Sequence, residues 1–124
     1  MAITVPVGAV SVANQKLMGV TEQALEVGIN AACGGFTVRD ISHAIESFVR
    51  AQKNNKYGIV EVLSGLGVGR AVHEDPYIPN FWKAGKGEKL IPGMVIALEP
   101  MINIGTKNVT IDDDDWTFRT ADRK

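Results

Sequence analysis

The segment of residues 64–81, SGLGVGRAVHEDPYIPNF, constrains the fold of this chain more than any other stretch. Its three alternating glycines are Gly65, Gly67 and Gly69. Glycines at this spacing let the backbone run close to a neighbouring group that a Cβ would keep away. Its two Xaa-Pro pairs, Asp75-Pro76 and Ile78-Pro79, favour extended or turn geometry over a long helix. The segment therefore predicts a strand end, a glycine-rich turn and a second extended piece that presents His73.

Two helices are predicted before this segment. Ser11 is a suitable N-cap for a helix that runs to about Cys33, with apolar residues recurring on one face. A second helix begins after Thr37, and Asp40 occupies the acidic position of a capping box. Its apolar positions repeat at helical spacing: Ile41, Ala44, Ile45, Phe48 and Val49. His43 lies off that apolar face, so we interpret it as a solvent-exposed side chain.

Strand patterns occur near both ends of the chain and directly before the glycine-rich segment. The alternating residues 3–7 predict a short edge strand, because Pro6 lacks a backbone donor. Asn54-Asn55 is predicted to end the second helix, and residues 57–63, which include β-branched side chains, predict a strand. Residues 116–120 predict a last short strand.

Acidic residues occupy two informative places in the last third of the chain. Glu99 directly follows the apolar residues 95–98, which predict a buried strand. A carboxylate in such a place costs free energy unless it has a partner. A functional ligand position and a hydrogen bond to a neighbouring strand both remain open explanations. The run from Asp112 to Asp115 repels itself and predicts a solvated turn.

Length and charge limit the class of protein. A chain of 124 residues is long enough for one domain with a modest core. The net charge of −1 gives no electrostatic support for a nucleic-acid partner or an anionic membrane. The single cysteine, Cys33, cannot form an internal disulfide, which fits a reducing cytoplasm. No apolar stretch is long enough to span a bilayer, and the N-terminus has no signal-peptide pattern.

The glycine-rich segment resembles a motif of the type I methionine aminopeptidases, which belong to the pita-bread metallopeptidase family M24. The residues in register with that motif are Gly65, Gly67, Gly69, Arg70, His73, Glu74 and Pro76. Residues 90–94 (LIPGM) and 98–101 (LEPM) resemble two further signatures of the family. Residues 115–117 (DWT) and 120–122 (TAD) resemble another, and all these segments occur in the family's order.

The resemblance implies a fold and an activity. The fold would be α+β, a partial pita-bread (creatinase/aminopeptidase-like) fold with two helices on a curved, mostly antiparallel sheet. Residues 1–124 would form a single domain similar to the C-terminal half of a methionine aminopeptidase catalytic domain. The family removes the initiator methionine from new polypeptides. It uses a pair of divalent metals such as cobalt, manganese, iron or zinc, which activate a water molecule.

The resemblance also implies site residues. Glu99 matches a metal-binding glutamate, and His73 matches a catalytic histidine that contacts the substrate peptide and stabilises the transition state. Trp116 matches a tryptophan near the methionine pocket, while an ordinary packing role stays open. Leu66 stands where the family has a metal-binding histidine, and leucine has no lone pair to donate. The remaining family ligands, two aspartates and a second glutamate, correspond to positions outside these 124 residues.

Two hypotheses of different class follow. In the first, the chain is a methionine aminopeptidase that is incomplete or inactive, since most metal ligands are absent. In the alternative, it is a non-catalytic module that binds peptide ends or a partner protein around His73 and Trp116. Under both hypotheses the chain exposes surface that the other half of a pita-bread fold would cover. Self-association is therefore expected.

Overall fold

The computed structural model describes residues 2–52 and 56–124. Helix α1 spans Val12–Ala31 and helix α2 spans Val38–Arg50. The strands of the described residues follow in chain order: β1 Tyr57–Ile59, β2 Gly65–Gly67, β3 Glu74–Ile78, β4 Ile96–Ala97, β5 Ile102–Ile104, β6 Val109–Ile111 and β7 Phe118–Thr120. The predicted helix end at Asn54-Asn55 lies outside the described residues.

Helix α1 begins as the sequence predicts, because the Ser11 hydroxyl accepts a hydrogen bond from the Asn14 N–H at 3.2 Å. It ends at Ala31, two residues before the predicted Cys33. Its contact with α2 depends on a residue without a side chain. A Cβ on Gly28 would lie 3.0 Å from the Cδ1 of Ile45, so the two helices approach closely at this point.

Helix α2 has the capping interaction that its sequence predicts. The Asp40 carboxylate accepts hydrogen bonds from the Thr37 N–H at 2.7 Å and the Thr37 hydroxyl at 2.8 Å. These two bonds hold the pKa of Asp40 below its ordinary value. Ile41 and Ile45 are completely buried on the apolar face of the helix. His43 is exposed on the opposite side, which confirms its interpretation as a solvent-exposed residue.

The strands pair in three antiparallel groups rather than in one continuous sheet. Strand β1 pairs with β5, and β6 pairs with β7. The third group has the order β3-β2-β4, so β2 lies in its centre. The two helices and the antiparallel pairing confirm the α+β class. The strands of the described residues are short, with two to five residues each.

Three strand predictions are wrong in their extent. Residues 3–7 form no strand in the described part of the chain, and Ile3, Val5 and Val7 are exposed. A segment with period-2 alternation forms a strand only where a neighbouring strand supplies hydrogen-bond partners. No described strand lies beside residues 3–7. Strand β1 ends at Ile59 instead of continuing to residue 63. The predicted buried strand at 95–98 is reduced to the two residues of β4.

The apolar core lies between the helices and the strands that pack beneath them. Its buried members are Ala24, Val38, Ile41, Ile45, Val49, Ile59, Ile78, Leu90 and Ile102. Ser42 is buried on the same face of α2, and its hydroxyl donates to the Pro79 carbonyl at 2.6 Å. This bond fixes α2 against the end of β3. In the described residues no helix has the length and apolar character needed to cross a membrane.

Candidate functional site

The glycine-rich segment folds as an antiparallel hairpin of β2 and β3, as its sequence predicts. Gly65 is opposite Ile78 and Gly67 is opposite Glu74, with an irregularity of register between them. A Cβ on Gly67 would lie 2.6 Å from the carbonyl carbon of Asp75, so no side chain fits there. The spacing of the glycines therefore serves close backbone contact between the two strands.

The turn of this hairpin, residues 68–73, is held by a side chain to which the sequence analysis gave no role. The Glu74 carboxylate accepts a hydrogen bond from the Ala71 N–H at 3.2 Å, and the Gly69 N–H donates to the Ala71 carbonyl at 3.1 Å. The sequence contained a signal for this bond, because the acidic residue Glu74 lies three positions after Ala71 in the turn. His73 ends this turn with an exposed side chain, so its ring is accessible from solvent.

The pairing of β2 with β4 relates the position of Leu66 to that of Glu99. Leu66 is half-buried and lies directly opposite Ala97, and Glu99 follows Ala97 by two residues. The backbone carbonyl of Glu99 accepts a hydrogen bond from the Asn80 amide at 2.7 Å. Asn80 is 1% exposed, so this bond anchors the chain at Glu99 to the end of β3. The sequence signal for this bond was an asparagine directly after the second Xaa-Pro pair, and the prediction did not use it.

The prediction of a buried setting for Glu99 is wrong. Glu99 is exposed, and Val95 at the start of the apolar run is 62% exposed. Strand β4 lies at the edge of its sheet with only two paired residues, so it cannot bury the residues on either side. Because Glu99 is exposed, its carboxylate does not carry the desolvation cost that was expected for a buried position.

Trp116 lies in the turn between β6 and β7 and is 84% exposed. The same turn contains the run of aspartates, which is solvent-exposed over most of its length. Asp114 orders this turn. It accepts the Thr117 hydroxyl at 2.6 Å, the Thr117 N–H at 2.8 Å and the Trp116 N–H at 3.0 Å. Bonds from Thr117 and then Trp116 to the ionised carboxylate lower its pKa to about 2.

The low pKa of Asp114 predicts how the turn responds to pH. Since the folded pKa of about 2 is below the ordinary 3.8, the stabilisation is complete above 3.8. It is lost as the pH falls through 2. An NMR titration should show the Asp114 carboxyl titrating near pH 2. Asp114→Ala should expose the amides of Trp116 and Thr117 to exchange. Asp113→Ala is the matched control and should leave both amides protected. A carboxyl that titrates near pH 4 would contradict this account.

The described residues do not fit a pair of divalent metals. Two such ions need several carboxylate or imidazole ligands that converge on one place. No cluster of three or more His, Cys, Asp or Glu side chains with that arrangement occurs in residues 2–52 and 56–124. Glu99 offers one carboxylate, and Leu66 beside it offers no donor. Within the described residues, Glu99 is bonded through its carbonyl to Asn80 and Trp116 through its N–H to Asp114.

Comparison with known proteins agrees with this arrangement of motifs. The sequence profile of metallopeptidase family M24 matches residues 1–117. The chain therefore belongs to metallopeptidase family M24. Its relatives include methionine aminopeptidase 1 of Bacillus subtilis, which is 43% identical over 123 residues, covering 99% of this chain and 48% of the relative. Methionine aminopeptidase 1 of Mycobacterium tuberculosis is 42% identical, covering 98% of this chain and 47% of the relative.

Solved structures agree in fold. The crystal structure of methionine aminopeptidase from Thermotoga maritima superposes with a TM-score of 0.89 at 36% identity, covering 97% of this chain and 47% of that one. The enzyme from Rickettsia prowazekii gives a TM-score of 0.85, covering 94% and 46% of the two chains. These matches confirm a partial pita-bread fold. The chain spans about half the length of the curated relatives that it matches.

Proposed function

We propose that this chain is part of a methionine aminopeptidase-type metalloexopeptidase that removes the N-terminal methionine of new polypeptides in the cytoplasm. The observation that carries the proposal is the β2–β3 hairpin, in which Gly65 pairs with Ile78 and Glu74 accepts a hydrogen bond from Ala71; its glycines, Glu74 and His73 are the residues that resemble the family motif. The 43% identity to the Bacillus subtilis relative over 99% of this chain supports it. Residues 1–124 correspond to a C-terminal-half portion of the catalytic domain.

Three residues carry this proposed role. His73 donates a hydrogen bond from its ring to the carbonyl of the substrate, and its exposure leaves the ring free to do so. Trp116 contacts the methionine side chain of the substrate with an indole that is 84% exposed. Glu99 supplies one metal-binding carboxylate on a backbone that Asn80 holds in place.

A metal pair would supply an activated water to this reaction. The described residues contribute one carboxylate to it, and Leu66 replaces a ligand with an apolar side chain. We therefore propose that the chain by itself neither holds the metals stably nor cleaves peptides.

The alternative function, a non-catalytic module that binds peptide ends or a partner protein, is favoured by one observation. Leu66 puts a half-buried apolar side chain where the resemblance implies a metal ligand, whereas His73 and Trp116 remain exposed for contact.

Metal content tests this proposal. After dialysis against buffer containing manganese or cobalt, elemental analysis should find far less than one transition metal per chain, because a single carboxylate binds such ions weakly. Glu99→Gln should remove what binding remains, and Glu26→Gln on α1 is the control that should not. A stoichiometric pair of metals in the wild-type chain would overturn the proposal that its site is incomplete.

A further inference from the structure

A groove lies between the exposed side of helix α2 and the loop of residues 82–89. Its volume is about 480 Å³, which is within the range of about 300–1,000 Å³ for small-molecule sites. None of its lining residues belongs to the proposed peptidase site. They are Arg39, Asp40, His43, Glu46, Ser47, Arg50 and Trp82.

The loop is fixed to α2 at two places. At one end of the loop, the Trp82 N–H donates a hydrogen bond to the Glu46 carboxylate at 2.6 Å. Near its other end, the Glu88 carbonyl accepts a hydrogen bond from the Val38 N–H at 2.9 Å. These two bonds hold the loop as a second wall of the groove.

Arg39 lines the groove with a guanidinium group that lacks acceptors. Its Nε and Nη1 atoms are buried, and no described residue accepts a hydrogen bond from either of them. A buried donor without a partner costs free energy, so a ligand that supplies an acceptor would be bound favourably here. The stem of Arg39 packs against Gly87 of the loop, where an added Cβ would lie 2.5 Å from the Arg39 Cγ. This packing holds the guanidinium at the groove.

The two acidic residues of the groove are bonded to other partners. Asp40 accepts two hydrogen bonds from Thr37 at the helix cap. Glu46 accepts a hydrogen bond from the Arg50 Nε at 2.6 Å, in addition to its bond from the loop. Neither carboxylate bonds to the buried nitrogens of Arg39. The acids that line the groove therefore do not satisfy this guanidinium.

Cationic side chains and an aromatic ring lie at different levels of the groove. Arg39 and the exposed His43 are four residues apart, so they lie on one side of α2. Trp82 is bonded to Glu46, which lies two turns, or roughly 10 Å, beyond Arg39 along the helix. The Trp82 side chain is 54% exposed. This arrangement suits a ligand with an anionic group at one end and a planar ring at the other.

We propose that this groove binds a small anion that carries a planar ring, of the chemical class of a nucleoside monophosphate. The phosphate contacts Arg39 and His43, and the base stacks on Trp82. A polynucleotide is not the expected ligand, because a chain with a net charge of −1 does not attract a long polyanion. The groove lies apart from the proposed peptidase site, so the inference does not depend on the proposed function.

The test is an NMR titration of the chain with adenosine monophosphate (AMP). Amide shifts should concentrate in residues 39–50 and 82–88 and saturate with a dissociation constant of about 1 mM or less. Adenosine lacks the phosphate and inorganic phosphate lacks the ring, so each should bind at least about tenfold more weakly. Shifts that do not saturate, or equal binding of adenosine and AMP, would overturn the inference. Tighter binding of an oligoadenylate than of AMP would also overturn it, because the ligand would then be a nucleic acid.

Variants test the proposed contacts one at a time. Arg39→Met keeps an apolar stem against Gly87 but removes the charge, and it should weaken AMP binding at least about tenfold. Trp82→Ala should weaken AMP binding by a similar factor and leave the shifts caused by inorganic phosphate unaltered. His43→Ala changes an exposed side chain, so it should leave the fold intact and weaken AMP binding about threefold or more. Arg70→Met is the matched control, because Arg70 lies in the hairpin turn outside the groove. Equal affinities of Arg39→Met and Arg70→Met for AMP would contradict the proposed site.

Discussion

Replacing Gly67 by alanine is expected to lower the free energy of unfolding by about 3 kcal/mol, which is the upper end of the usual cost of overpacking. The added Cβ would lie 2.6 Å from the carbonyl carbon of Asp75. Backbone atoms cannot rotate away as a flexible side chain does, so β2 and β3 must separate. Because Gly67 is opposite Glu74, the displacement would reach the turn that presents His73.

Urea denaturation followed by far-ultraviolet circular dichroism measures this effect. Gly34→Ala is the matched control, because a Cβ at Gly34 meets no atom within 4 Å. Its free energy of unfolding should stay within about 0.5 kcal/mol of the wild type. Equal stabilities for the two variants would show that the close approach of β2 and β3 is not part of the folded state in solution.

Local signals predicted the parts of this fold that are held by local interactions. Helix α2 follows from the Thr37 and Asp40 cap and from the regular spacing of Ile41 and Ile45, and these features need no distant partner. The β2–β3 hairpin follows from glycines and Xaa-Pro pairs inside one segment of 18 residues, 64–81. In both cases the residues that determine the element are close together in the chain.

The wrong predictions concern elements whose surroundings decide their structure. Residues 3–7 have a strand pattern, but burial and pairing of a strand depend on a neighbour that local sequence does not specify. Glu99 follows an apolar run, yet β4 is an edge strand and leaves that run half-covered. At both places apolar side chains stay exposed, because residues 3–7 have no described neighbouring strand and β4 has one on a single side only.

The hairpin of the candidate site was predictable from the sequence, but the hydrogen bonds that support it were not. The sequence predicted His73 on the second extended piece, whereas the structure places it in the bend directly before β3. The supporting roles of Glu74 and Asn80 depend on hydrogen bonds to Ala71 and Glu99, which appear only when the turn and the end of β3 are seen in space. These bonds hold the backbone at Ala71 and Glu99 in position.

Repair of one ligand position should not create activity. Leu66→His would restore an imidazole beside Glu99, but it would add no further carboxylate to the described residues. Water activation by a metal pair needs ligands from both sides of the site. Loss of His73 should likewise change nothing where no turnover exists. In a working site, loss of a group that stabilises the transition state typically costs about 100-fold or more.

The central claim, that this chain carries only a portion of a methionine aminopeptidase site, is tested most directly by a peptidase assay. The wild type, Leu66→His and His73→Ala are incubated with a peptide that begins Met-Ala and with added manganese or cobalt, and released methionine is measured. We expect all three rates to equal that of a protein-free control containing the same metal. Methionine release by the wild type that disappears in His73→Ala would contradict the claim and show that this chain builds a complete site.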